Sequence, residues 1–173
     1  MAATVIINEW NGTSGSEAAT DKTSGTVRFK SADNATVDIN NPIVKPVAGT
    51  NRSFEKWLRL RITGTGPTGQ IENLGFATDG SNNFGTGITC FIRTTNPGSY
   101  ATTATPANDT GGTNVFTYTS GSRKSLNVAN PAPFTGTNVN IGDYAVCWLG
   151  ADNTVVGPGT LPGETFSFYY DES

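Results

Sequence analysis

The sequence predicts an all-β protein with a β-sandwich or jelly-roll-like fold of about eight antiparallel strands and little or no helix. Three observations lead to this fold class. Apolar residues alternate with polar ones at a period of two, turn-forming residues separate these runs at roughly 8–20-residue intervals, and helical periodicity is nearly absent. With 173 residues, the chain is expected to form one β-sandwich domain that spans residues 1–173.

Eight segments have the apolar and β-branched composition of strands. The longest is Phe54–Thr63, where the apolar residues at even positions from Leu58 to Ile62 share one face. Trp57 and two arginines fall on the opposite face. In Thr26–Lys30, the same alternation places Val27 and Phe29 on one face and the two basic residues on the other. In chain order, the predicted strands are Val5–Trp10, Thr26–Lys30, Phe54–Thr63, Ile71–Thr78, Gly87–Arg93, Asn114–Thr119, Asp143–Leu149 and Glu164–Asp171.

The segments between the strands are predicted as turns and loops, with one exception. Ser16–Thr20 carries a helical signal for a single turn, with Ser16 as its N-cap. Two connections are long and polar, Thr94–Thr113 and Ser120–Asn140. Loops of this length in a compact domain often serve as contact arms, and a simple solvated connection is an equally good interpretation.

The composition excludes several classes of enzyme. The chain has no histidine, which removes Ser-His-Asp and Cys-His catalytic arrangements and nearly all catalytic zinc sites. Its acidic residues lie mostly in turns, and no spacing singles out an acid/base pair of the kind that glycosidases use. We therefore expect a non-enzymatic protein without catalytic residues.

The two cysteines, Cys90 and Cys147, each lie within an apolar run of a predicted strand. Free, buried thiols that pack as small apolar side chains are the favoured interpretation. A disulfide between the two strands stays open, because it depends on a Cα separation below about 7 Å. Burial would raise the pKa of either thiol, so neither cysteine is expected to act as a nucleophile.

No cofactor is predicted, and calcium is the one metal that the sequence leaves open. Oxygen-rich turns at Asp79 and Asp109 offer ligands for a structural calcium ion near either residue. Neither turn has the ligand spacing of an EF-hand loop, and turns rich in Asp and Asn usually form without a metal.

Charge and hydropathy limit the classes of partner and the cellular location that we expect for the chain. The formal charge of −3, with no basic run longer than Arg123-Lys124, argues against a nucleic-acid partner. No segment approaches the roughly 18 apolar residues that span a membrane, so no membrane partner is expected. The N-terminus lacks the positive start and long apolar run of a signal peptide. We therefore expect a protein made in the cytoplasm.

Six segments carry a resemblance to a known group of proteins. They are Asn8–Gly12, Gly25–Asp33, Asn41–Pro46, Ser53–Leu60, Phe76–Gly80 and Glu164–Glu172. In this order they resemble small virion proteins of tailed bacteriophages. The resemblance covers nearly the whole chain except the loops after Thr94 and after Ser120, and none of its segments carries chemistry by itself. Cys90 and Cys147 are not part of the pattern.

The resemblance implies a structural component of a phage particle, located in the virion after synthesis in the host cytoplasm. A capsid decoration or cement protein on the outer head shell is the first choice, with the major capsid protein and copies of the chain itself as partners. A tail, neck or fibre-associated protein is the alternative. The expected contacts are aromatic and basic residues predicted to face outward: Trp57, Arg59, Arg61, Arg123 and Lys124.

A carbohydrate-binding β-sandwich module is the alternative from another class of protein. Aromatic side chains stack on sugar rings in such modules, and four candidates are available in Trp10, Trp57, Tyr100 and Trp148. This hypothesis requires the aromatic residues to be exposed in a row. Buried tryptophans would argue against it.

Overall fold

In the computed structural model of the chain, the described residues are 3–64, 70–127, 132–133, 139–157 and 159–172. They contain eleven strands and two three-residue 3-10 turns, Pro97–Ser99 and Val115–Thr117. No helix in these ranges is long or apolar enough to cross a membrane. The strands are β1 (Val5–Asn11), β2 (Ala18–Asp21), β3 (Thr50–Arg52), β4 (Lys56–Ile62), β5 (Gln70–Ala77), β6 (Ile88–Thr95), β7 (Thr113–Asn114), β8 (Lys124–Ser125), β9 (Ala132–Pro133), β10 (Val139–Asp152) and β11 (Ser167–Glu172).

The strands form two antiparallel sheets, which confirms the predicted all-β sandwich class. The larger sheet has seven strands in the order β2-β1-β4-β10-β6-β7, and β3 pairs with the end of β10. The smaller sheet has four strands, with β5 paired to β11, β8 and β9. The two central strands of the larger sheet, β4 and β10, are far apart in sequence, so long-range pairing builds the scaffold.

The main hydrophobic core joins side chains from both sheets. Leu58 and Leu60 of β4 contribute from the larger sheet, while Ile71 and Phe76 of β5 contribute from the smaller one. The even-numbered face of β4 is therefore the buried face, as the alternation predicts. Phe76 also packs edge-on against Phe168 of β11, at 5.7 Å between ring centroids.

Two backbone irregularities allow the strands to follow this core. In β5, Asn73 has a φ of +51°, close to the register shift in the pairing with β11. In β10, Gly142 has a φ of +69° within the register shift against β4. A Cβ atom at Gly142 would lie 2.4 Å from Leu74 Cδ2 and 2.8 Å from the Leu126 carbonyl oxygen. Only glycine fits this bulge without displacing its neighbours.

The predicted strand at Thr26–Lys30 is wrong, because this segment forms no ladder with a neighbouring strand. The Lys30 carbonyl accepts from the Phe54 N–H at 3.0 Å, and the next N–H, that of Ser31, donates to the Asn41 carbonyl at 2.7 Å. The chain therefore bonds to two separate segments in succession. The side chain of Lys30 also points inward and is buried, against the predicted alternation.

Two further local predictions are wrong. Ser16–Thr20 is not a helical turn, since residues from Ala18 onward pair with the end of β1 as an edge strand. Asn114–Thr119 is not one continuous strand. The Asn114 side-chain oxygen accepts from the Phe116 N–H at 3.0 Å and caps a 3-10 turn at this point.

Within the predicted loop Ser120–Asn140, residues 128–131 and 134–138 lie outside the described residues.

Cys90 on β6 and Cys147 on β10 are free, buried thiols, as favoured from the sequence. The register pairs Cys147 with Ile92 and Cys90 with Leu149, so the two cysteines are diagonal neighbours on adjacent strands. Diagonal neighbours lie about 7–8 Å apart, which is beyond disulfide reach. Desolvation raises the pKa of both thiols.

We expect neither thiol to react with a disulfide reagent in the folded protein at neutral pH, because both are buried and protonated. Both are expected to react after denaturation without a reducing agent. Counting reactive thiols before and after unfolding checks this. Denatured protein that shows no reactive thiol would instead reveal a disulfide.

Candidate functional site

A groove of about 1290 Å³ opens beside the main core. It is lined by apolar side chains from the larger sheet, such as Leu58 and Leu149, and by Phe166 and Phe168. Residues from the irregular segments 22–30, 38–45, 155–157 and 159–165 also line it. A large cleft with an apolar floor is the commonest form of a binding site in proteins.

Large aliphatic side chains are exposed in, or next in sequence to, segments that line this groove. Five residues form this set, which we call the apolar rim: Val37, Ile39, Val44, Val47 and Val156. Ile39 is 80% exposed and Val47 is 98% exposed. Ile39, Val44 and Val156 line the groove directly. A group of exposed aliphatic side chains at one groove is a candidate interaction surface.

Three buried lysines hold the segment that leads into the rim. Their ammonium groups donate to three consecutive backbone carbonyls. Lys56 Nζ bonds Asn34 O at 2.8 Å, Lys22 Nζ bonds Ala35 O at 2.7 Å, and Lys30 Nζ bonds Thr36 O at 3.0 Å. These bonds fix a loop that has no ladder of its own.

Two of these lysines, two carboxylates and an amide form what we call the polar cluster: Glu9, Asn11, Lys22, Asp33 and Lys56. Glu9 and Lys56 are both 0% exposed, and Glu9 Oε1 lies 2.9 Å from Lys56 Nζ. Lys22 Nζ lies 3.7 Å from the other oxygen of Glu9. Asn11 Nδ2 donates to Glu9 Oε1 at 3.3 Å and to Asp33 Oδ1 at 2.9 Å. Opposite charges thus compensate one another inside the fold.

Further polar contacts fasten the two sides of the rim to each other and to the sheet. Lys45 Nζ donates to the Val155 carbonyl at 2.6 Å, which ties the segment before Val47 to the segment before Val156. Asn51 Nδ2 donates to the Val44 carbonyl at 2.7 Å. The aliphatic side chains of the rim are therefore presented from a fixed backbone.

The prediction that Trp57 faces outward as a contact is wrong, because its side chain is 1% exposed. It does point away from the main core, but a second cluster covers it. Tyr100 and Tyr144 lie over its ring with centroids at 4.9 Å and 5.3 Å, and Trp57 Nε1 donates to Glu55 Oε2 at 3.2 Å. The loop that carries Tyr100 closes this face of the larger sheet.

The four predicted basic contacts fall on two different sheets. Arg59 is half-buried on β4, where its Nε donates to the Gly142 carbonyl at 2.8 Å and desolvation lowers its pKa. Arg61 is half-buried on the same strand. Arg123 is exposed and lies 4.3 Å from the Tyr169 ring centroid, and Lys124 is half-buried on β8. The fold therefore does not bring the five predicted contacts into one surface.

The four aromatic candidates for sugar stacking do not form an exposed row. Trp57 and Trp148 are buried, and Trp148 stacks on Phe91 at 5.6 Å. Trp10 and Tyr100 are partly exposed, and both belong to the cluster around Trp57 and Tyr144. Their rings contact other rings edge-on.

The two turns considered for calcium have other roles. Asp109 accepts both Nε and Nη2 of Arg52 at 2.7 Å, and its Oδ1 also accepts from Trp148 Nε1 at 3.0 Å. Asp79 Oδ1 accepts from the Ser81 N–H at 2.8 Å within its own turn. Among the described residues, no group of three or more acidic or cysteine side chains could hold a metal ion.

Asp109→Asn is expected to lower the free energy of unfolding by about 1 kcal/mol at neutral pH, since the pair with Arg52 is partly exposed. The Arg52 hydrogen bonds lower the pKa of Asp109 below its ordinary value of 3.8. The stabilisation is therefore present above that value and is lost as the pH falls through the folded-state pKa. Urea unfolding at neutral and acidic pH measures the difference. Asp79→Asn, which keeps a turn oxygen, is the matched control.

Sequence reasoning missed the apolar rim and the polar cluster. The rim residues lie in a segment rich in turn formers and have no period that marks a strand or a helix. A signal for the cluster does exist, because Glu9 and Lys56 occupy positions that alternate in step with apolar residues of the core face. Recognising it requires the pairing of β1 with β4.

Comparison with known proteins gives no relative. No protein family model matches the chain, and neither a curated protein nor a solved structure matches it significantly.

Proposed function

We propose that this chain is a non-enzymatic structural protein of a bacteriophage particle, which binds the outer head shell as a decoration protein through the apolar rim. The exposure of Ile39, Val44 and Val47 carries this proposal. Three large aliphatic side chains within nine residues are in water, while the core of the same chain is well buried. A protein partner that covers them explains why they are kept on the surface.

The hydrogen bonds that hold the backbone of the rim favour a contact surface over an ordinary loop. The lysine bonds to carbonyls 34–36 and the Lys45 bond to Val155 order the segment before a partner arrives. Binding then loses less conformational entropy than it would with a flexible loop. On a shell with many equivalent positions, a modest contact per copy is sufficient for stable attachment, especially if neighbouring copies also touch.

The particle assignment itself comes from the resemblance to small phage virion proteins. Quantitative mass spectrometry of purified particles encoded by the same genome tests it. The proposal expects the chain at a copy number comparable with that of the major shell protein. A copy number of a few to dozens would place it in the tail or neck and overturn the head-shell position. Absence from the particle would overturn the virion assignment altogether.

A further inference from the structure

The polar cluster contains the three groups needed to form an amide bond between two side chains. They are a lysine amine, a carboxamide and a carboxylate that touches both. Glu9 Oε1 lies 2.9 Å from Lys56 Nζ and 3.3 Å from Asn11 Nδ2. All three side chains are buried, with Glu9 and Lys56 fully inaccessible to solvent.

The strand register brings the amine and the carboxamide together. Strands β1 and β4 are antiparallel, with Glu9 opposite Leu58 and Trp10 opposite Trp57. The next step of the same register places Asn11 opposite Lys56, with both residues on the face that carries Glu9. Cβ atoms of directly opposed residues lie about 4.5–5.5 Å apart, which is within easy reach of a lysine side chain.

Two acceptor atoms of the polar cluster lack a hydrogen-bond donor among the described residues. Glu9 Oε2 and Asn11 Oδ1 are both buried acceptors without a hydrogen-bond partner in the described part of the structure. Such unsatisfied atoms are rare in folded proteins, and reactive sites are one of the places where they occur. A proton carried by the Glu9 carboxyl group would lie beside the Asn11 amide nitrogen, because Glu9 Oε1 is 3.3 Å from Asn11 Nδ2.

From this geometry we propose that Lys56 Nζ and Asn11 Cγ become joined by an isopeptide bond, with Glu9 transferring the protons. Lys56 first passes one proton to Glu9, which replaces a buried ion pair by a neutral amine and a neutral acid. The amine then attacks Asn11 Cγ and forms a tetrahedral intermediate.

The products follow from the same contacts. The Glu9 carboxylic acid gives its proton to Asn11 Nδ2 and takes one from the attacking nitrogen, and the Cγ–Nδ2 bond breaks with release of ammonia. Nδ2 is bonded to both Glu9 Oε1 and Asp33 Oδ1, so the Glu9 acid and the Asp33 carboxylate lie beside the leaving nitrogen. No oxidant or reductant is required. This bond would join β1 to β4 covalently, and it does not depend on the proposed role in a particle.

Mass spectrometry of the purified full-length chain tests the proposal. The intact mass is expected to lie about 17 Da below the sequence mass, because one ammonia is lost. Trypsin is expected to leave Lys56 uncut and to release residues 1–22 linked to residues 53–59. An intact mass equal to the sequence mass overturns the proposal, and so does a link to Lys22 instead of Lys56.

A second reaction of Asn11 must be separated from this one. Asn11 precedes Gly12, and an Asn-Gly step can lose ammonia by forming a backbone succinimide without any lysine. Lys56→Met removes the amine and is expected to restore the full mass. Glu9→Gln should do the same with the fold intact by near-UV circular dichroism. A loss of ammonia that persists in Lys56→Met, with no linked peptide in the native chain, overturns the isopeptide bond.

Discussion

In the Asn11→Ala background, where no isopeptide bond can form and Lys56 keeps its charge, Lys56→Met is expected to lower the free energy of unfolding by about 3–5 kcal/mol, because it leaves a buried carboxylate without its closest cation. Glu9 is fully buried, and the nearest remaining ammonium, that of Lys22, is 3.7 Å away. The Asn34 carbonyl also loses its donor. Chemical denaturation of the variant and the parent protein measures the difference.

Control variants isolate the origin of this loss. Lys45→Met removes an exposed lysine whose one hydrogen bond, to the Val155 carbonyl, lies in solvent, and it is expected to lower stability by no more than about 1 kcal/mol. The double variant Glu9→Gln with Lys56→Met is expected to recover part of the loss, because the uncompensated charge is gone. Asn11→Ala keeps the ion pair but forbids the isopeptide bond, so it separates the covalent contribution. A loss below about 1 kcal/mol for Lys56→Met contradicts the buried pair.

Trp57→Ala is expected to destabilise the fold by about 3–5 kcal/mol and to leave partner binding by the folded protein unchanged. The ring is covered by Tyr100 and Tyr144, and Arg93 lies 5.7 Å from its centroid while also bonding Glu55. Truncation therefore opens a cavity in the second cluster. Thermal or urea unfolding gives the stability, and a particle-binding assay below the melting temperature gives the affinity.

A conservative variant sharpens this test. Trp57→Phe keeps an aromatic ring but removes the Nε1 donor to Glu55, and it is expected to cost about 1–2 kcal/mol. If Trp57→Ala instead changed stability by less than about 1 kcal/mol and weakened binding, the tryptophan would be a contact residue, as the alternation alone suggested.

Strands could be predicted from the alternation of residues in the sequence where one face of the strand packs against the core. In β4 the alternation gave both the strand and its buried face, because Leu58, Leu60 and Ile62 all pack between the sheets. The exposure of Trp57 could not be predicted in this way. Alternation separates the two faces of a strand, but it does not reveal that a distant loop carrying Tyr100 covers the second face.

The candidate site depends on irregular segments, for which the sequence has no periodic signal. The alternation places Lys30 on the face opposite Val27 and Phe29, but it does not reveal that Lys30 is buried, where the Thr36 carbonyl and Asp38 bond its ammonium group. The exposure of the rim residues Val44 and Val47 depends on where this segment is held against the rest of the fold. It cannot be predicted from the residues next to them in sequence. Long-range hydrogen bonds of single side chains determine this part of the fold.

The proposed function requires that the apolar rim attach the chain to its partner. The most direct test adds purified protein to particles that lack it and measures the bound copies, comparing the native chain with a variant that carries Val44→Asp and Val47→Asp. Both positions are exposed, so the fold should be retained. Ala101→Asp, at an exposed position in another loop, is the control.

Each charge placed in a desolvated apolar contact is expected to weaken binding by about tenfold or more, and the pair by about a hundredfold. We therefore predict that the double variant is lost from the particles at concentrations where the native chain and Ala101→Asp saturate them. Equal binding of all three proteins would contradict the claim and would place the contact surface elsewhere on the molecule.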